Sequence, residues 1–310
     1  MARYLRHALK PAGIQLTRHF FISQPTHTHT NLMASSLNLK IDALDEKGGT
    51  ALGAKLATTL SEYVQPQSQV SHHDAAQSIL AQLPVGNPYS DEGFEFASLV
   101  IEIASQIPYK HPSQARLVRL LKYLTHSPKL VSRSTVKGEE EQNVNFQALG
   151  EQLRDNLQGP EAEETPIEWV NYHAFLAQLE ATGVWTARLP NFVIWEMRDA
   201  FENQAEAQGQ FHQYHVMAAA QWILWDGQEI FKYMANPLPV GDDEARMWRL
   251  GDRFSSSDVA VVSLARWQIW KEGFKAAAGA AQGSEGSDES KDVAGRAAAL
   301  MDVIEKSMSF

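Results

Sequence analysis

The amino-acid sequence predicts an all-α protein, a multi-helix globular bundle or an irregular array of helical hairpins without a substantial sheet. From about residue 48 onward, apolar residues recur at intervals of three and four, which is typical of helices with one buried face. No segment alternates apolar and polar residues over the length of a strand, and no hairpin signal separates strand-like runs. Proline or glycine follows most of the periodic segments, so about ten helices are expected.

The first half contains five predicted helices. The stretch from Gly48 to Lys55 resembles a phosphate-binding loop, but Ala54 stands where the lysine is required, so we interpret it as a helix start. Pro112 opens the fourth helix, because a first-turn proline lacks only an N–H that a helix leaves unpaired anyway. The helices are predicted at residues 51–64, 73–83, 94–107, 112–126 and 146–157, and the polar stretch 132–145 is predicted to be a loop.

The second half gives the stronger helix signals. Residues 165–168 form a capping box with a first-turn proline, and Gly183 is a natural residue to end that helix. Pro190 opens the next helix, and Ser257 is predicted to cap the one that ends near Phe274. The helices are predicted at residues 165–182, 190–201, 211–234 and 257–274.

The helix at 211–234 is expected to be central. Trp222 and Trp225 lie on the side opposite a narrow apolar stripe, and only a thin polar strip separates the two sides. A helix that is apolar on two opposed sides is expected between other helices. The stripe consists of Val216, Ala220, Ile223, Gly227, Ile230 and Met234.

Composition divides the chain into four predicted regions. Residues 1–45 are a basic N-terminal tail, and residues 46–278 are the helical domain. All eight Trp lie between Trp169 and Trp270, which defines a Trp-rich half from about residue 165. Residues 279–290 are rich in Gly, Ala and Ser and read as a flexible linker. The amphipathic helix at 291–310 either docks back on the domain or binds a partner, such as a second copy in a homo-oligomer.

The net charge of −10 combines two unlike parts. The first 41 residues contain five Lys or Arg and no Asp or Glu, which leaves 22 basic and 37 acidic residues in the remainder. An acidic body argues against nucleic acid as a partner. The acid-free start is typical of a mitochondrial presequence, but Met33 also resembles an ordinary protein start. We therefore expect a cytoplasmic protein, with the mitochondrial matrix as the alternative if residues 1–32 are translated and act as a presequence.

Several chemistries are excluded by the sequence. It contains no Cys, so thiolate metal sites, iron–sulfur clusters and cysteine nucleophiles are impossible. The longest apolar run covers residues 216–225 and is interrupted by Gln221, too short for a helix that spans a membrane. No dinucleotide-binding, nucleophile-elbow or zinc-protease motif occurs. We accordingly predict no catalytic residue, no cofactor and no metal ligand.

One group of residues in the Trp-rich half could form a pocket for a ligand or a partner. Its members are His173, His215, Trp222, Trp225 and Glu229, of which the last four share one helix. His215 follows His212 by three residues, so both could face one metal ion, but further ligands would have to come from other helices. The competing interpretation is that these aromatic and imidazole side chains simply pack in the core.

Three blocks of residues in the second half, with a shorter one upstream, carry a family resemblance. They are residues 169–179 (WVNYHAFLAQL), residues 219–227 (AAQWILWDG), Trp267 and Trp270 with Phe274, and upstream His111 and Pro112 with Gln114. In order and spacing they resemble the fungal domain of unknown function 3632 family, across roughly residues 90 to 275. Gln178 stands where the family is expected to have Arg or Ala. The resemblance implies an intracellular, helical, fungal-type protein, and it implies no activity and no site residues.

Two functions therefore remain open. The first is a non-catalytic interaction or scaffold protein with an unknown protein partner. The second is a small-molecule-binding or enzymatic helical bundle with an aromatic pocket in the Trp-rich half. An enclosed cavity of polar and aromatic side chains would favour the second, whereas a filled core with an exposed groove would favour the first.

Overall fold

A computed structural model describes most of the chain, and the described residues belong to one unit that extends from Ala34 to Phe310. Residues 1–34, which include the possible presequence at 1–32, and residues 281–286 in the middle of the predicted linker lie outside the described residues. The described residues are 35–44, 49–85, 87, 89–135, 142–163, 165–185, 191–204, 209–280 and 287–308. At 132–135 and 142–145 only the backbone is described.

The first half of the described chain forms five α-helices and one short ribbon. Three of the helices begin at a hydroxyl cap, where the side chains of Thr50, Ser71 and Ser90 accept a backbone N–H three residues on. The polar stretch predicted to be a loop contains two antiparallel strands, paired from Ser132 with Asn145 to Thr135 with Gln142. The elements are α1 (Ala51–Val64), α2 (His72–Gln82), α3 (Asp91–Gln106), α4 (Ser113–Leu124), β1 (Ser132–Thr135), β2 (Gln142–Asn145) and α5 (Gln147–Asp155).

The second half contains six α-helices in its described part, arranged around one of them. They are α6 (Ile167–Thr182), α7 (Asn191–Phe201), α8 (His212–Ala235), α9 (Asp242–Met247), α10 (Leu264–Ala278) and α11 (Asp288–Ser307). Helix α8 packs against α6, α7, α10 and α11, so the prediction that it is central is confirmed. With eleven α-helices and only a two-stranded ribbon among the described residues, the predicted all-α class is confirmed.

One predicted helix start is wrong, and the cap predicted for another helix differs in the structure. The helix that contains Trp267 begins at Leu264, where the Ser263 hydroxyl accepts the N–H of Arg266; Ser257 is therefore not its cap. The Arg266 side chain donates to the carbonyl of Val261, and this bond holds the preceding residues outside the helix. Helix α6 has Pro166 at its N-cap without a side-chain cap bond, so the capping box predicted at 165–168 does not form as expected. Pro190 lies outside the described residues, and α7 begins directly after it.

The C-terminal helix α11 packs against α8 and α10. It buries Val293, Ala297 and Ile304 in the same core as the rest of the protein. Its Glu305 accepts from Lys271 of α10 at 2.6 Å, and Glu289 near its start accepts from the Tyr109 hydroxyl at 2.7 Å. Most of its apolar stripe is thus buried within the chain, and a homo-oligomer through this helix stays a prediction.

Part of the predicted N-terminal tail lies against the helices. The side-chain amide of Gln65 donates to the carbonyl of Leu37 and accepts its N–H, both at 3.0 Å. Gln106 makes the same pair of bonds to the backbone of Lys40, at 2.6 and 2.7 Å. No helix among the described residues is both long enough and apolar enough to span a membrane.

Candidate functional site

Helices α6, α7 and α8 bring a set of polar side chains together inside the Trp-rich half. Trp169 and His173 are four residues apart on α6, so they lie on one face of that helix. His215 and Trp222 are seven residues apart on α8, two turns along one face. Glu196 extends between these faces from the middle of α7, and it is buried.

The carboxylate of Glu196 is the centre of this set. Its Oε1 accepts the indole N–H of Trp169 at 3.2 Å and lies 3.0 Å from Nδ1 of His215. Its Oε2 lies 3.4 Å from Nε2 of His173. A buried carboxylate is stable only where opposite charge and N–H donors replace water, which is what these three side chains provide.

The imidazole of His173 has a fixed orientation. The indole N–H of Trp222 donates to its Nδ1 at 2.9 Å. Nδ1 is therefore the acceptor, and a neutral His173 carries its proton on Nε2. Among the described residues this buried Nε2 has no hydrogen-bond partner, because the approach to Glu196 is too long for a good bond.

The two histidines have opposite electrostatic character. Burial lowers the pKa of His173 to about 4, against the pull of Glu196, so His173 is neutral at pH 7. Burial also acts to lower the pKa of His215, but the charge and hydrogen bond of Glu196, with the charge of Asp199, raise it above its ordinary value. Burial would raise the pKa of Glu196, but the two imidazoles and the N–H groups bonded to it lower the pKa overall.

A cleft of about 780 Å³ opens beside this network. His173, Glu196 and His215 contribute to its lining, while Trp222 lies behind His173. Burial, followed by the charge of Glu196, raises the pKa of Asp199 in the cleft to about 6. Further lining residues are Trp169, Phe192, Trp195 and Phe211, which are aromatic, and the charged Glu161 and Arg198.

The structure separates the five candidate pocket residues into two groups. His173, His215 and Trp222 meet at the Glu196 network. Trp225 is 45% exposed and lines a different cavity of about 390 Å³, and Glu229 is exposed and pairs with Lys232. Asp226, on the same helix as Trp225 and Glu229, is buried, and burial followed by the charge of Glu229 raises its pKa to about 7.

Sequence reasoning missed Glu196 and Asp199. A signal for Glu196 exists, because it is an acidic residue within the buried stripe formed by Phe192, Val193 and Met197. Its partners lie 19 to 27 positions away along the chain, which no periodicity reveals. In the described part of the chain, no group of three or more His, Asp or Glu has the arrangement of a metal site.

A second buried carboxylate, Glu202, lies just after the end of α7. Arg266 donates to it from Nε at 2.7 Å and from Nη2 at 2.9 Å. The indole of Trp270 donates at 2.7 Å and the backbone N–H of Gly251 at 3.0 Å. Both charged side chains are 0% exposed, so this pair is a structural element of the core.

Comparison with known proteins gives one match. A family model described as a protein of unknown function, DUF3632, matches residues 98–274, more than half of the chain. This match confirms the resemblance inferred from the sequence blocks, and the cleft and its network lie inside the matched region. Searches of curated proteins and of solved structures found no match.

Proposed function

We propose that this chain, which belongs to the DUF3632 family, binds a small molecule in the cleft between α6, α7 and α8. The observation that carries the proposal is the Glu196 network at the wall of an aromatic-lined cleft, with one buried N–H of His173 left without a partner. Convergent polar groups with shifted pKa values in an apolar cleft are the usual mark of a binding or active site.

The volume and the chemistry of the cleft support a small ligand. A cavity of about 780 Å³ is within the range that accommodates a metabolite. The indole of Trp195 and the rings of Phe192 and Phe211 offer flat apolar contacts, and Glu161 and Asp199 offer acceptors.

A scaffold function is the second candidate, and one observation favours it. Trp225 exposes nearly half of its surface, and together with Leu224 it lines the smaller cavity. Exposed tryptophan is frequent among residues that dominate protein–protein interfaces. The partner would be a protein that covers Trp225, and the surface around it is separate from the Glu196 cleft.

A thermal-shift screen with two tryptophan variants separates the candidates. A metabolite that fits the cleft should raise the melting temperature of the wild type, because it binds only the folded state. The rise should disappear in Trp195→Ala and persist in Trp225→Ala, its matched control outside the cleft. The scaffold function would be favoured by two results together. The screen would find no ligand for the cleft, and a protein that co-purifies with the wild type and with Trp195→Ala would be absent from Trp225→Ala.

We also propose that the protein is cytoplasmic, with the mitochondrial matrix as the alternative. The experiment is mass spectrometry of the mature protein. A chain that starts at Met33 or Ala34 excludes the presequence, and a start near Phe20 or Thr28 supports it.

A further inference from the structure

We propose that His215 is the general base of this cleft, with Glu196 as its positioning residue. The inference rests on the proposed function, because a base needs a bound molecule to deprotonate. The substrate class is a small molecule with an acidic O–H, N–H or activated C–H group.

The hydrogen bond between His215 and Glu196 assigns the two ring nitrogens. An ionised carboxylate only accepts hydrogen bonds, so Nδ1 of His215 carries the proton that lies 3.0 Å from Oε1. In the neutral ring the lone pair is then on Nε2. No hydrogen bond reaches this Nε2 from the part of the chain that the structure describes, and the ring lines the cleft. A free, oriented lone pair at a cleft wall is the geometry of a general base.

Side chains of two helices, α6 and α8, hold Glu196 of α7 in place. Trp169 donates to the same oxygen as His215, and His173 faces the other oxygen with its N–H. The indole of Trp222 fixes the ring of His173 from behind. An imidazole held by a carboxylate on one nitrogen keeps the other nitrogen aimed at a constant point.

The charges around the cleft direct a proton to His215 and not to His173. The pKa of His173 is about 4, so this ring stays neutral at pH 7, with its Nε2 3.4 Å from Oε2 of Glu196. Burial acts to lower the pKa of His215, but the charge and hydrogen bond of Glu196, with the charges of Asp199 and Glu161, raise it above its ordinary value. Two titratable groups whose pKa values are displaced in opposite directions are typical of an acid–base site.

The step itself is a proton transfer. Nε2 of His215 takes the proton of the substrate X–H group, and the electron pair of that bond remains on X. The imidazolium that forms has its positive charge next to the carboxylate of Glu196. The proton returns from Nε2 to the product or to water, which restores the neutral ring.

Histidine NMR of the full-length protein tests the assignment without a known substrate. In wild-type protein labelled at histidine, His215 should have a pKa above 6.5, with the proton of the neutral ring on Nδ1. Glu196→Gln should move this pKa to lower pH, and His215→Gln identifies the signal. His212→Gln is the control, because His212 is three residues away and its Nε2 is 2.9 Å from the carbonyl of Ala200.

Reaction with diethyl pyrocarbonate tests whether the lone pair is reachable from the cleft. Unprotonated Nε2 attacks a carbonyl of the reagent, and ethanol and carbon dioxide leave. Peptide mass spectrometry of folded wild type should find His215 modified and His173 unmodified. A neutral His215 protonated on Nε2, an unaltered pKa in Glu196→Gln, or resistance to the reagent would each overturn the assignment.

These outcomes are distinguishable from failure of the proposed function. If a ligand binds the cleft but His215 fails the NMR test, ligand binding stands and proton transfer is refuted. If His215 has the expected pKa and protonated nitrogen, but Trp195→Ala and Trp225→Ala reduce the ligand-induced rise in melting temperature equally, the cleft is refuted as the binding site. The wild-type measurements carry the test even if Glu196→Gln does not fold.

Discussion

Glu196, in the middle of α7, and Glu202, just after its end, lie six residues apart, yet their surroundings differ. Glu202 receives four N–H donors, two of them from the planar fork of Arg266, and both side chains of the ion pair are 0% exposed. Glu196 receives two indole or imidazole donors at hydrogen-bond distance and a third at 3.4 Å, at the wall of a cleft. A guanidinium keeps its proton in proteins, whereas an imidazole exchanges its proton near neutral pH.

The Glu202 pair anchors a long connection. Nη1 of Arg266 also donates to the carbonyls of Trp248 and Val261, at 2.6 and 2.7 Å. The backbone N–H of Arg253 bonds to the carbonyl of Glu202 at 3.0 Å. One ion pair thereby fixes the chain between α9 and α10 to the end of α7. The comparison indicates a structural role for Glu202 and is consistent with a chemical role for Glu196.

The largest effect is expected from Glu202→Gln. It leaves Arg266 charged, fully buried and without its carboxylate, so the free energy of unfolding should fall by about 3–5 kcal/mol. Urea unfolding at pH 7 measures it. The control is Glu272→Gln, which removes an exposed pair with Lys275 on α10 and should change stability by no more than about 0.5 kcal/mol. A loss below about 1 kcal/mol for Glu202→Gln would contradict the anchoring role.

Glu196→Gln should lower the free energy of unfolding less, by about 1–3 kcal/mol. The variant loses the charge that stabilises a protonated His215, but His215 can release its proton and remain neutral in the core. Arg266, in contrast, keeps its proton and stays charged when its carboxylate partner is removed. Urea unfolding of the two variants side by side measures the difference. If Glu196→Gln were the more destabilised, the contrast between the two carboxylates would be wrong.

His173 should make the protein sensitive to acid. Its pKa is about 4 in the folded state and about 6.5 when unfolded, so the unfolded chain binds more protons between these values and stability falls as the pH drops from 6.5 to 4. Stability measured across this range should fall by about 1–2 kcal/mol less in His173→Gln than in the wild type. Parallel curves for the two proteins would contradict the burial of a neutral His173.

Asp199 should act in the opposite direction with a smaller effect. Its pKa is about 6 when folded and about 3.8 when unfolded, so the folded state binds more protons and stability falls as the pH rises from 4 to 6. As the pH rises from 4 to 6, the free energy of unfolding of Asp199→Asn should increase by about 1 kcal/mol relative to that of the wild type. Chemical unfolding at pH 4 and pH 7 measures the change. If the free energy of unfolding rose from pH 4 to pH 7 in the wild type but not in Asp199→Asn, the raised pKa of Asp199 would be refuted.

The helices were largely predictable because their signals are local. Helix α1 begins and ends where the sequence indicated, since Thr50 caps it and the apolar spacing stops before Pro66. The start of α10 was not predictable, because Ser257 and Ser263 are both good caps and only the bond from Arg266 to Val261 decides between them. The short helix α9 has no apolar stripe, so no helix was predicted at its position.

The candidate site was predictable only in part. Trp222 and Trp225 are three residues apart on α8, and the sequence placed them in one pocket. Helix α6 covers Trp222, whose indole bonds to His173, whereas Trp225 is rotated far enough around the axis to reach solvent. The sequence identified His173 and His215 as candidates, but it could not show that a carboxylate lies between them.

The sequence by itself determined the all-α class, most helix boundaries and the family, because these depend on residues a few positions apart and on ordered blocks. Only the tertiary structure decided which polar groups meet. Glu196, His173 and His215 lie on three helices, and their distances depend on how those helices cross. The same packing gave Glu202 an arginine and Glu196 two histidines, and this choice of partner separates the core ion pair from the candidate site.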